Sequence, residues 1–84
     1  SIEDYIAHEM AHIMTYQDCK NEAEFRTRQR IVERQFMQGI SQYADKTGKG
    51  EESLAEAFVR YRNKEKIPIR AELLIRSYIE RWKK

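Results

Sequence analysis

The feature that most restricts this chain's fold is how little punctuation it carries. Its 84 residues hold three glycines and one proline. Gly39, Gly48 and Gly50 fall in the middle and Pro68 near the end, so long stretches have no residue that breaks a helix. Alternation of period two is scarce, while residues favouring helix are abundant, and the chain reads as mainly all-α with about four helices. Ile2, Ile6, Met10, Ile13 and Met14 recur at helical spacing and predict a first helix from Ile2 to Tyr16 with an apolar stripe. Asn21 followed by Glu24 reads as a capping box opening a second helix, with Phe25, Ile31, Val32, Phe36 and Ile40 on its buried face. The run Ala44–Gly50 is a loop by composition. A third helix is expected from Glu52 to about Tyr61, carrying Leu54, Phe58 and Tyr61 on one face. Pro68 suits the first turn of a last helix, in which Leu73, Leu74, Tyr78 and Trp82 recur. Tyr78 and Trp82 are expected to close the core.

Length and charge limit the function classes. Eighty-four residues make one domain or a piece of one, with a modest core. Sixteen basic side chains stand against fourteen acidic, a net charge of +2, which gives no concentrated basic surface for nucleic acid. Arg26, Arg28, Arg30 and Arg34 read as a solvated face beside Glu22, Glu24 and Glu33. Cys19 is the one cysteine and forms no internal disulfide. No apolar run is long enough for a membrane span or a signal-peptide core. Ser1 leads straight into a helical pattern, so the chain reads as a fragment of a longer protein.

Chemistry concentrates in the first helix. It contains His8-Glu9-Met10-Ala11-His12, which uses both histidines of the chain in an H-E-x-x-H motif. Residues four apart share one helical face, so both imidazoles can reach one metal ion at about 2.0–2.1 Å. Glu9 follows His8 and is rotated toward the side of the metal, where a carboxylate takes a proton from an activated water without being a ligand. A catalytic zinc needs a third protein ligand and an open position. Asp18 stands where a metzincin pattern would put that ligand. Thr15 occupies the glycine position of the same pattern, where the chain must turn back sharply. The other candidate is Glu56, flanked by the small Ala55 and Ala57. Periodicity puts Glu56 on one face with Glu52, Arg60 and Asn63, a face that would equally suit solvent.

The succession His8-Glu9-Met10-Ala11-His12, Ile40-Ser41-Gln42-Tyr43-Ala44 and Ala55-Glu56-Ala57-Phe58 resembles the gluzincin-type zincin metallopeptidases. That group includes the peptidase domain of anthrax lethal factor and zincin-like domains attached to phage head-morphogenesis or minor capsid proteins. The resemblance runs from about Tyr5 to Tyr61. It implies one zincin-like helical domain over residues 1–84, with Zn2+ ligated by His8, His12 and Glu56 and with Glu9 as general base. It implies a protein or peptide substrate, and a hydrogen bond from Tyr43 to the oxyanion of the tetrahedral intermediate. Ala11 replaces a glycine common in the group, and residues 45–50 lengthen the path from Tyr43 to Glu56. The substrate-binding edge strand of such folds has no counterpart in the chain, and the β-sheet is expected upstream of Ser1. The competing expectation is a non-catalytic helical assembly module of a phage protein, and the location expected is cytoplasmic or phage-associated.

Overall fold

The computed structural model describes residues 1–83, apart from the side chain of Trp82. Among the described residues every regular element is helical: α1 (Ile2–Tyr16), α2 (Glu22–Arg34), α3 (Gln42–Thr47), α4 (Gly50–Arg62) and α5 (Ile69–Trp82). None is long and apolar enough to cross a membrane.

Helix α4 is the axis about which the others pack. Ser53, Leu54, Ala55, Ala57 and Val59 are all buried, so it loses solvent on most of its circumference. The apolar core lies between α4, α5 and the α2–α3 segment, and is built from Val32, Met37, Ile40, Leu54, Ile75 and Tyr78. Helix α1 docks on another side of α4 through its small residues Ala7, Ala11 and Thr15. Small side chains let two helix backbones approach closely, and that closeness brings the polar side chains beside them into mutual reach.

The apolar stripe of α1 faces the other way. Ile2 is 75% exposed and Ile13 67%, and Tyr5, Ile6 and Met10 are also exposed. The periodicity located the stripe correctly, but the helix buries its alanine face instead. Phe25 and Ile31 in α2 are likewise exposed rather than in the core, whereas Val32 is buried as expected; α2 ends at Arg34, so Phe36 and Ile40, expected on its face, lie beyond it, Ile40 buried and Phe36 half-buried. Phe25 lies against the ring of Tyr16, with centroids 4.6 Å apart. In α5 the buried residues are Ala71, Ile75 and Tyr78, and Leu73 points outward. The expectation that Trp82 helps to close the core falls outside the described residues.

The segment expected as a loop, Ala44–Gly50, instead ends one helix and starts the next. Ser41 caps α3 by accepting from the Ala44 amide at 3.0 Å, and Gly48 stops it in the left-handed region at φ 66°. Polar composition hid a turn and a half of helix whose Ala44 is fully buried. The Asn21 cap forms as read, accepting from the Glu24 amide at 2.9 Å, while the Glu24 carboxylate takes the amide of Lys20 rather than that of Asn21.

Gly50 is required by packing. It lies in the first turn of α4 against the backbone of α2, and a Cβ there would collide with the Val32 carbonyl. Alanine at a helical position ordinarily gains up to about 1 kcal/mol over glycine. The clash with backbone reverses that sign, so Gly50→Ala should destabilise the fold by about 1–3 kcal/mol. Thermal unfolding checks it, with a fall in Tm of at least about 4 °C expected for a domain of this size.

Candidate metal centre

Helices α1 and α4 run antiparallel and meet along a polar seam. Asn63 donates to Asp4 at 2.8 Å at one end, and Tyr16 donates to Glu51 at 3.1 Å at the other. Between them lie His8, His12, Glu52 and Glu56. The face read as equally suited to solvent is therefore turned inward: the Glu52 and Glu56 side chains are only 14% and 17% exposed.

The seam contains a convergent donor set. His8 Nε2 stands 3.0 Å from Glu52 Oε1 and 3.0 Å from His12 Nε2. His12 Nε2 is 3.4 Å from Glu52 Oε2. A tetrahedral zinc with bonds of about 2.0–2.1 Å separates neighbouring donors by about 3.3 Å. The His8–His12 and His8–Glu52 spacings are slightly shorter than that value, His12 faces the other Glu52 oxygen, and these three residues form a group able to hold a metal ion.

The opposite nitrogen of His8 strengthens the fit. Its Nδ1 lies 2.8 Å from Glu56 Oε2, and a carboxylate accepts there only if Nδ1 carries the proton. In the neutral ring this turns the Nε2 lone pair toward Glu52 and His12, both at 3.0 Å. Electron-rich atoms facing one another so closely are stabilised by a cation among them, a proton or a metal. A carboxylate on the far nitrogen of a histidine ligand is the usual device for fixing its tautomer and raising its basicity.

The structure thus brings His8, His12 and Glu52 into one cluster and seats Glu56 behind His8. Glu52 had been noted only as a neighbour of Glu56 on its helical face. The signal was the four-residue spacing itself, since carboxylates one turn apart can serve a single imidazole from both of its nitrogens. Asp18 is engaged elsewhere: Arg28 grips both of its oxygens at 2.9 Å and also donates to the Thr15 carbonyl at 2.6 Å. The Arg28 guanidinium holds the Asp18 carboxyl below the usual carboxylate range. Cys19 stands free beyond the end of α1.

His8 opens into a groove of about 400 Å³, whose walls include Glu9, Tyr43, Val59 and Arg60. Glu9 is solvent-exposed on the rim of this groove, one residue from the cluster. Tyr43, in the first turn of α3, meets the His8 ring edge-on at 6.1 Å between centroids. The negative charge of Glu52 raises the Tyr43 phenol above its ordinary value. On the other side, His12 and Glu52 border a second depression with Tyr16 and Glu51. Residues 45–50 therefore do not carry Tyr43 away from the cluster, because α3 places it beside His8. No protein-family model, no curated protein and no solved structure matches this chain.

Proposed function

We propose that this chain is the core of a zinc-dependent metallopeptidase. His8, His12 and Glu52 are the metal ligands, Glu56 orients His8, and Glu9 is the general base. The observation that carries the reading is the convergence of His8 Nε2, His12 Nε2 and the Glu52 carboxylate within 3.0–3.4 Å of one another, beside an open groove that also holds Glu9. Catalytic zinc has three protein ligands and one open position, whereas structural sites close all four, and this cluster offers three.

Zinc, when bound, polarises a carbonyl and lowers the pKa of coordinated water to about 7. The chain's own residues supply the rest. Glu9 accepts the proton as the water oxygen bonds to the peptide carbonyl carbon, and returns it to the leaving nitrogen as the C–N bond breaks. Tyr43, a phenol protonated at neutral pH, donates toward the oxygen on which negative charge develops. The substrate class is protein or peptide, with the groove beside His8 lined by both apolar and charged side chains.

Elemental analysis of the purified chain tests this reading. About one zinc per chain is expected, together with cleavage of an unstructured polypeptide that stops on chelation and returns with added zinc. A chain that takes up no zinc even when it is supplied overturns the reading. It would leave a helical module of structural purpose, such as a phage assembly domain.

A further inference from the structure

The seam contains one cation that the chemistry above does not use. Arg60 lies one turn beyond Glu56 on α4, its side chain about one-third exposed, with Nη1 3.4 Å from Glu56 Oε1. The other oxygen of the same carboxylate accepts from His8 Nδ1 at 2.8 Å. Arg60, Glu56 and His8 therefore form a relay that ends on the nitrogen opposite the donor cluster. Among the described residues lining the groove, the acidic ones are Asp4, Glu9 and Glu56, and Arg60 is the one lysine or arginine. Glu52 and Glu56 also approach the same imidazole from its two nitrogens.

We infer that Arg60 is a positioning residue for the metal centre, acting on His8 through Glu56; this rests on the zinc-site reading above. The reason is electrostatic. A largely buried carboxylate that shares an imidazole with Glu52 and a groove with Asp4 and Glu9 is held in one place by a cation facing it. Without Arg60, the repulsion from Glu52, Glu9 and Asp4 favours rotation of Glu56 toward solvent. His8 Nδ1 then loses its acceptor, and the ring is free to put its proton on Nε2, where it blocks ligation. Of the facing side chains of α1, Asp4 and Glu9 are acidic, and the Ser1 ammonium lies 3.9 Å from Asp4 instead. Asn63 is already committed to Asp4 at 2.8 Å.

The test is zinc affinity of the full 84-residue chain, measured by competition with a chelating indicator, for the parent, Arg60→Met and Arg60→Lys. Methionine keeps the unbranched stem and removes the charge, while lysine restores the charge. Outer-shell partners of metal ligands are worth about 10–100-fold in affinity. Arg60 stands one contact farther out at 3.4 Å, so roughly a tenfold weakening is expected in Arg60→Met, with most of it recovered in Arg60→Lys. Cobalt(II) bound in place of zinc should show shifted ligand-field bands in Arg60→Met alone. Thermal unfolding without metal should be the same for all three chains. Equal zinc affinity in the parent and Arg60→Met overturns the inference while leaving the metal site intact. So does a weakening that lysine does not reverse and that accompanies an equal loss of metal-free stability, since that is a packing effect. A parent chain that binds no zinc overturns the metal reading itself.

Discussion

Glu9→Gln should bind as much zinc as the parent chain and hydrolyse peptide about 10²–10⁴-fold more slowly, the range that a positioned general base contributes. The two parts of this expectation separate because Glu9 lies outside the donor cluster. It follows His8 on α1 and is exposed at the rim of the groove, while the ligand atoms face inward across the seam. Glutamine keeps the size and reach of the side chain but does not take a proton from water. Single-turnover cleavage of an unstructured polypeptide, run beside a zinc determination on the same preparation, reads both quantities. Full activity in Glu9→Gln would remove Glu9 as the base, and loss of zinc would make it a structural part of the centre.

The second large effect separates the two carboxylates of α4. Glu52→Ala removes a member of the convergent group, and its zinc affinity should fall by more than about a hundredfold, beyond the span typical of outer-shell changes. Glu56→Ala removes the acceptor behind His8 and should fall within about 10–100-fold. Competition with an indicator of known affinity ranks the two. The reverse order would make Glu56 the ligand and Glu52 its support. The distances favour the order given, because Glu52 reaches both histidines, at 3.0 and 3.4 Å, whereas Glu56 reaches only the far nitrogen of His8.

The motif helix, its bounds and the pairing of His8 with His12 are legible in the sequence because they depend on residues four apart within one element. So are the Asn21 cap and the helical character of the chain. What could not be read is which face of α1 meets α4. Hydrophobicity pointed to Ile2, Ile6, Met10 and Ile13, yet the buried side is Ala7, Ala11 and Thr15. Small residues add little to a hydrophobic pattern, and their effect is to shorten the distance between helix axes, which periodicity does not encode. The same gap explains Glu52. Its role depends on the relative register of two helices joined by more than thirty intervening residues, and only that register decides whether Glu52 or Glu56 stands level with both imidazoles. Helix α3 was missed for a different reason. Six residues rich in polar side chains carry no periodic signal, and the helix is held by the Ser41 cap and the burial of Ala44.

The seam also sets an order of events in time. The histidines lie on α1, and the carboxylates that complete their cluster lie 44 and 48 residues farther along the chain. The intervening chain must form α2 and α3 and bring α4 back across α1 before three donors exist together. An ion met earlier finds two imidazoles on a lone helix, too short to be stable by itself in water. On the zinc-site reading, full coordination of an ion therefore requires α1 and α4 to be docked, and the ion would hold the two helices together. Because α4 is the main packing partner of α1, fluctuations that lift α1 away dismantle the centre while the core around Leu54 and Ile75 persists. On the zinc-site reading, residence of the ion and attachment of α1 are coupled, so that whatever loosens one would release the other.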